Sequence, residues 1–232
     1  MVKKLFTANT KMIILNSPHN PTGSILKKKD IDSLIKLTRN TDILILSDEV
    51  YEHLIYDDLE HESIARYPEL KERAFVVASF GKLLHTTGWK IGYCLAPAKL
   101  MTEFRKVHQF NVFSVNTPMQ AGITAYLKKG FDYAALALFF QQKRDLFCSL
   151  LAQTPFKLLP CRGSYFQCVS YGHLSDEKDT DFSRRLIIDY GVAGIPVSAF
   201  YTRHTDEKII RFCFAKEEST LKSAAEKLMK YS

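Results

Sequence analysis

The chain has 232 residues, of which 46% are hydrophobic and 25% are charged, so it can bury the core of one large domain or of two ordinary ones. That composition excludes a mainly disordered chain, a collagen-like repeat and a small domain held together by disulfides. The formal net charge of +7 is spread over both halves of the chain, which argues against the concentrated basic surface of a nucleic-acid-binding protein.

The first half of the chain alternates short apolar runs with amphipathic stretches. The apolar runs predict strands, at residues 12–15, 43–46, 74–79 and 91–96. A helical pattern that includes Ile31 and Leu34 separates the first two of them. Strands that alternate with helices predict an open, mostly parallel sheet flanked by helices, so we expect an α/β fold here.

Three residues with reactive or hydrogen-bonding side chains each follow one of these strands. Asn20, Asp48 and Lys82 lie just beyond the first, second and third apolar runs. Parallel strands end at the same edge of a sheet, and such sheets carry their chemistry in the loops at that edge. We therefore expect the three side chains at one edge.

A long helical stretch, residues 131–152, leads into a different pattern. Its apolar run at residues 133–140 is too short to span a membrane. Short strands follow, predicted at residues 165–169, 192–195 and 209–214, with helices between them. We predict two domains: a larger α/β domain over residues 1–144, and a smaller α+β domain over residues 145–232.

Two further features bear on location and on metal chemistry. Residues 1–7 lack the apolar stretch and cleavage site of a signal peptide, so we expect a cytoplasmic protein with no membrane or nucleic-acid partner. The five cysteines form no C-x-x-C pair, so we predict neither a disulfide nor a metal site.

The quartet Ser79-Phe-Gly-Lys82 is the most informative local motif. A lysine directly after a buried strand and a glycine turn is held in a partly desolvated position. Desolvation disfavours the ammonium form and leaves the amine available as a nucleophile or base. A surface lysine in a loop explains the same four residues, and on these residues alone it is the simpler interpretation.

Other polar residues are each open to two interpretations. Asp48, at the end of the most apolar strand, either caps a following helix or pairs with a buried cationic ring nitrogen. Residues 16–23 are either a plain proline-containing loop or a binding loop. Arg211, in the middle of a predicted strand, is either an exposed residue of an edge strand or a bidentate clamp for a carboxylate.

Taken in chain order, five motifs resemble the class I aminotransferases of pyridoxal-phosphate fold type I, and most closely the methionine and kynurenine aminotransferase subgroup. The motifs are Asn16-Ser-Pro-His-Asn-Pro-Thr-Gly23, Ser79-Phe-Gly-Lys82, Gly88-Trp-Lys-Ile-Gly-Tyr-Cys94, Phe113-Ser-Val-Asn-Thr-Pro118 and Ile210-Arg-Phe-Cys-Phe-Ala-Lys216. They extend through nearly the whole chain. The resemblance implies a partial fold type I large domain followed by a smaller C-terminal domain.

The resemblance also implies pyridoxal 5′-phosphate as the cofactor and assigns two residues to its chemistry. Lys82 would form the Schiff base with the cofactor aldehyde and then move the proton between the substrate α-carbon and the cofactor. Asp48 would pair with the pyridine nitrogen and keep it protonated. A protonated ring withdraws electrons from the carbanion, which is the catalytic contribution of this cofactor.

Five further residues receive binding roles from the resemblance. Asn20 and Tyr51 would hydrogen-bond the ring 3′-oxygen. Ser79 and Lys90 would hold the phosphate, one through a hydroxyl and the other through its charge. Arg211 would bind the substrate α-carboxylate. Much of class I has arginine at the Lys90 position, and lysine neutralises phosphate without the two parallel hydrogen bonds of a guanidinium.

This chain departs from the family before the loop at residues 16–23, where complete members have a long stretch and it has about fifteen residues. The resemblance implies that the first strands of the large-domain sheet, the aromatic that stacks on the ring and the glycine turn that receives the phosphate are missing. Much of the homodimer interface would be missing with them. We therefore expect exposed apolar edges and faces, and a separate N-terminal half is a candidate partner.

Three functions stay open at this point. An aminotransferase would move the amino group of methionine-like or aromatic amino acids to 2-oxo acids. A carbon–sulfur β-lyase would use the same cofactor and lysine but eliminate at the β-carbon. A non-catalytic fragment would retain the fold alone. The motifs beginning at Phe113 and Ile210 favour the aminotransferase.

Overall fold

The computed structural model describes residues 5–231, which form two compact units. The first unit comprises residues 5–18, 26–53 and 60–133, and the second comprises residues 19–25, 54–59 and 134–231. The division that we predicted after residue 144 falls inside a helix, Tyr133–Leu151, and the second unit takes up that helix from Ala134 onward.

A four-stranded sheet forms the centre of the first unit, with the strand order β1-β2-β3-β4. Its strands are β1 (Met12–Asn16), β2 (Leu44–Asp48), β3 (Ala74–Ser79) and β4 (Gly92–Leu95). The first three strands are parallel, and β4 runs antiparallel to β3. The predicted mostly parallel sheet is confirmed.

Helices flank this sheet: α1 (Lys28–Thr38), α2 (Pro68–Lys71), α3 (Phe80–Leu83), α4 (Ala98–Asn111) and α5 (Thr117–Leu127). At the start of α1 the Asp30 carboxylate accepts a hydrogen bond of 2.9 Å from the backbone N–H of Lys27, as in a capping box. The apolar face of α1 packs with the central strand β2, and Ile31 and Ile45 are both 0% exposed. This core fixes the position of the end of β2.

The second unit contains an antiparallel sheet with the strand order β5-β6-β8-β7. Its elements are α6 (Tyr133–Leu151), β5 (Lys157–Leu158), β6 (Phe166–Ser170), α7 (Asp179–Tyr190), β7 (Ile195–Pro196), β8 (Ile209–Cys213) and α8 (Glu218–Leu228). This α+β arrangement agrees with the sequence.

The strand predicted at residues 192–195 is shorter than expected and lies further along the chain. Gly191 ends α7 in the left-handed conformation, with φ of 62°, and its N–H donates to the carbonyl oxygen of Ile187. The residues up to Gly194 are an extended link, so pairing with β8 begins only at Ile195.

The first unit exposes apolar side chains on an edge strand and on a helix. Ile14 in β1 is 70% exposed. On α4 and just after it, Val107, Phe110 and Phe113 are 69%, 88% and 78% exposed. Monomeric soluble proteins rarely leave such patches uncovered, so these surfaces are suited to contact with further protein. None of the helices in residues 5–231 is long and apolar enough to cross a membrane.

Candidate active site

The ends of the parallel strands place two of the predicted residues in the first unit. Asn16 pairs with Asp48, and Asp48 with Val77, so the three strands end at one edge of the sheet. Asp48 is the last residue of β2, and Lys82 lies in α3, which begins directly after β3. Asn20, which we expected at this edge, belongs to the second unit.

Asp48 begins a turn and not a helix, so the helix-capping interpretation is wrong. Its Oδ1 accepts a hydrogen bond of 3.1 Å from the backbone N–H of Val50. Its carbonyl oxygen accepts from the Asn16 side chain at 3.1 Å and from the backbone N–H of Ser17 at 3.0 Å. Tyr51, in the same turn, is 3% exposed. One hydrogen bond to the carboxylate and two to the backbone carbonyl therefore hold Asp48 at the strand end.

Ser79, Lys82 and Lys90 line one pocket of the first unit, about 260 Å³ in volume, together with Thr87, Ile91 and Gly92. Ser79 caps α3, since its Oγ accepts a hydrogen bond of 3.1 Å from the backbone N–H of Gly81. The buried Gly81 allows a close approach here, because an added Cβ would lie 3.1 Å from the Cα of Thr87, which is tighter than an ordinary van der Waals contact.

The donors around this pocket suit an anion such as a phosphate group. Two lining residues carry ammonium groups and two carry hydroxyls, and none of the six is acidic. Charge-assisted hydrogen bonds from such groups to phosphate oxygens are among the strong ones in proteins. The residues that the sequence assigned to the cofactor phosphate, Ser79 and Lys90, thus lie in the same pocket as Lys82.

In the second unit the structure brings Arg211 and Asn20 together. Arg211 lies in β8, which is hydrogen-bonded to β6 on one side and to β7 on the other, so the edge-strand interpretation is wrong. Its Nη1 donates a hydrogen bond of 2.6 Å to Asn20 Oδ1. A guanidinium in this interior position is costly unless its hydrogen-bonding capacity is used.

A buried carboxylate, which the sequence analysis missed, supports the strand end that carries Asp48. Glu49 is 1% exposed and accepts hydrogen bonds from the Ser47 hydroxyl at 2.8 Å, the Ile64 N–H at 3.0 Å and His61 Nε2 at 2.7 Å. Burial raises the pKa of Glu49, but the hydrogen bond and charge of His61 and the Ile64 N–H outweigh it and hold that pKa below its ordinary value.

Glu52 lies near Glu49 and His61. Each of the three residues offers one atom that could bind a metal ion, and these atoms lie within 4.8 Å of one another. Three donors already use the Glu49 carboxylate, so we interpret the group as a hydrogen-bond network. The signal in the sequence is weak: Glu49 continues the alternation of buried residues through Ile45 and Ser47, but its partner His61 lies 12 residues further on.

Replacing Glu49 with glutamine is expected to reduce the acid sensitivity of the fold. A carboxylate whose pKa is lowered by folding stabilises the folded state above its unfolded-state pKa, and this contribution is lost as the pH falls through the folded-state pKa. We expect Glu49→Gln to cost about 1–3 kcal/mol at neutral pH, since it leaves buried donors poorly paired. Urea unfolding from neutral pH down to about pH 3, below the ordinary glutamate pKa of 4.5, should show a smaller loss of stability than in the wild type.

The matched control is Glu103→Gln, which changes a carboxylate that is 68% exposed on α4. It should leave both the stability at neutral pH and its pH dependence close to those of the wild type. Equal pH dependence in the Glu49 variant and the wild type would contradict the role of this carboxylate.

Comparison with known proteins shows which proteins this chain is similar to in sequence. The family model for class I and II aminotransferases matches residues 2–228. The methionine aminotransferase of Escherichia coli is 44% identical over 225 residues, covering 97% of this chain and 58% of that protein. The kynurenine–oxoglutarate transaminase 1 of Mus musculus is 34% identical and covers 96% of this chain and 58% of that protein.

Solved structures give the same result for the fold. A crystal structure of an Escherichia coli protein with methionine aminotransferase function superposes with a TM-score of 0.95 at 43% identity, covering 99% of this chain and 61% of that one. The N-succinyldiaminopimelate aminotransferase of Mycobacterium tuberculosis superposes with a TM-score of 0.94 at 31% identity, covering 100% and 61%. The chain thus spans about three fifths of the length of these relatives.

Proposed function

The chain belongs to the class I and II aminotransferases, with the fold of fold type I enzymes, and from that premise we propose that it carries the lysine site of an enzyme that moves the amino group of methionine-like or aromatic amino acids to 2-oxo acids. One observation carries the proposal: Ser79, Lys82 and Lys90 line a single pocket. The choice of amino acids follows the methionine and kynurenine aminotransferases among the relatives.

The family's cofactor, pyridoxal 5′-phosphate, is chemically suited to this pocket. The Ser79 hydroxyl and the Lys90 ammonium offer donors to phosphate oxygens, and Lys82 offers an amine next to them. When bound, this cofactor withdraws electrons from the substrate α-carbon and so stabilises the negative charge left there by proton removal.

The residues of the chain would each contribute one action. Lys82 would hold the cofactor at its aldehyde carbon through the amine, and it would remove and return the proton of the substrate α-carbon. Asp48 would hold a proton on the ring nitrogen. Asn20 and Tyr51 would hydrogen-bond the ring oxygen, and Arg211 would bind the α-carboxylate and so orient the α-carbon.

Two substitutions of Lys90 are expected to differ in their effect on cofactor affinity. Lys90→Ala removes one charge from the phosphate pocket and should weaken pyridoxal phosphate binding by roughly 10- to 100-fold. Lys90→Arg should bind it at least as tightly, because a guanidinium can donate two parallel hydrogen bonds to phosphate. Absorbance titration with the cofactor measures both affinities.

An exposed lysine on α4 provides the control for the lost charge. Lys99→Ala lowers the net charge by the same amount outside the pocket. The Lys99→Ala variant should bind pyridoxal phosphate with the affinity of the wild type. An unchanged affinity in Lys90→Ala would remove Lys90 from the phosphate site.

Product analysis tests the proposed reaction and separates it from β-elimination. With the sequence found in the longer relatives supplied, L-methionine and phenylpyruvate should yield phenylalanine and the 2-oxo acid of methionine. Without the acceptor, no more than one equivalent of the 2-oxo acid should form per bound cofactor. An S-substituted cysteine supplied without acceptor, in contrast, would give pyruvate, ammonia and a thiol if the chain were a carbon–sulfur β-lyase. Predominance of the second reaction would overturn the aminotransferase proposal.

The proposal extends to partners and location. We propose a cytoplasmic homodimer whose activity requires sequence found in the longer relatives, supplied by a separate N-terminal half or by a longer form of the same chain. The share of the relatives that this chain spans and the exposed side chains of β1 and α4 support that requirement.

A further inference from the structure

We propose that Phe166 and Phe200 are positioning residues for Arg211, holding its guanidinium ready for the carboxylate of the substrate. The inference rests on the proposed function, because it takes Arg211 as the carboxylate-binding residue. The two phenylalanines contact the guanidinium and act through it.

Strand pairing explains why Phe166 meets Arg211. Cys168 of β6 lies directly opposite Arg211 of β8, and Phe166 lies two residues before Cys168, on the same face of the sheet. It is therefore the diagonal neighbour of Arg211, within reach of a long side chain. The guanidinium carbon lies 3.9 Å from the centroid of the Phe166 ring, which is 7% exposed.

Phe200 approaches the same guanidinium from the other neighbouring strand. β7 pairs with β8 through Ile195 and Arg211, and a turn of 3₁₀ helix, Val197–Phe200, follows β7 directly. The turn brings the Phe200 ring centroid to 5.0 Å from the guanidinium carbon, and this ring is 42% exposed. Both distances lie within the range of cation–π attraction.

Together with Asn20, the rings constrain the arginine in two different ways. Contact with a ring face restrains the guanidinium while leaving its edge, where the N–H groups lie, for hydrogen bonds. The hydrogen bond of 2.6 Å to Asn20 Oδ1 then sets the rotation of the group in its plane. An arginine held in this way loses less conformational freedom when a carboxylate binds, so the affinity for the carboxylate is higher.

The test uses leucine variants, which remove a ring but keep a buried apolar side chain. In the 232-residue chain labelled with isotopic arginine, the NMR signal of the Arg211 Nε–H is assigned from its loss in Arg211→Lys. The ring faces should shift this signal upfield in the wild type. We expect Phe166→Leu to move this signal strongly downfield and Phe200→Leu to move it less. Phe200→Tyr keeps an aromatic ring and should leave the signal at the wild-type position.

Phe139→Leu is the matched control, because Phe139 is 47% exposed on α6 and its ring lies under Lys143 and not under Arg211. It should leave the Arg211 signal in place. An Arg211 signal that is the same in the wild type and in both leucine variants would overturn the proposal, whether or not the chain is an aminotransferase.

Titration with phenylpyruvate, followed on the same signal, measures the consequence for carboxylate binding. We expect the affinity to fall about 5- to 30-fold in Phe166→Leu and about 2- to 5-fold in Phe200→Leu. The affinity for the methyl ester of phenylpyruvate should not change. Unchanged phenylpyruvate affinity in both leucine variants would also overturn the proposal.

If the wild type binds no phenylpyruvate while its Arg211 signal keeps the ring-dependent shift, the role of Arg211 in the proposed function fails. The ring-dependent shift would in that case still confirm that the two phenylalanines position the guanidinium.

Discussion

Replacing Lys82 with arginine is expected to abolish amino-group transfer, lowering kcat by roughly 1,000-fold or more, since proton transfer by a positioned side chain alone contributes about 100- to 10,000-fold. Arginine keeps the positive charge beside the phosphate donors but stays protonated, so it can neither bind the cofactor aldehyde nor accept a proton. Steady-state transamination of L-methionine measures the loss, with the sequence found in the longer relatives supplied to wild type and variant alike.

Two controls make this result specific to the amine of Lys82. Lys99→Arg, on the exposed surface of α4, should retain full activity. Lys82→Arg itself should still bind inorganic phosphate at the pocket, which shows that the site has folded. Activity within a few-fold of the wild type in Lys82→Arg would contradict the assignment of Lys82.

Supplying the sequence found in the longer relatives is expected to change the chain from a poor catalyst, or an inactive one, to an active enzyme. The probe is the segment of Escherichia coli methionine aminotransferase that precedes the part matching this chain, expressed as a separate polypeptide. We expect it to pair with the open edge of the sheet at β1, where Ile14 is 70% exposed. Co-purification and transamination of L-methionine measure the two effects.

A pair of isoleucines tests whether the β1 edge receives this segment. Ile14→Lys places a charge where the added strand would bury it and should weaken association by about 100-fold or more. Ile188→Lys makes the same change at a residue that is 73% exposed on α7, in the second unit, and should have no effect. Equal association of the two variants would show that β1 is not the docking edge.

Much of the first unit could be predicted because burial on both faces leaves a clear pattern in sequence. The run around Ile45 is apolar without interruption, as a central parallel strand requires, and β3 was found with its correct ends at Ala74 and Ser79. The glycine turn that we predicted before Lys82 is wrong, because Gly81 and Lys82 both lie in the short helix α3.

The parts that could not be predicted depend on contacts between distant residues. Arg211 and Asn20 are 191 residues apart, and no local pattern joins them. The interior position of Arg211 depends on the pairing of β8 with β7, and the predicted strand at residues 192–195 did not show which strand it would pair with. The role of Asp48 was ambiguous because aspartate is common both at the start of a turn and at the start of a helix. In either case its side chain accepts a hydrogen bond from a nearby backbone N–H, as Asp48 does from Val50.

The most direct test of the lysine site is the visible absorbance of the purified chain with pyridoxal phosphate, followed by borohydride reduction and peptide mapping. We predict a visible band and one reduced adduct, on Lys82, because that amine lies in the pocket with Ser79 and Lys90. No band, or adducts scattered over surface lysines, would contradict the assignment of this pocket as the cofactor site.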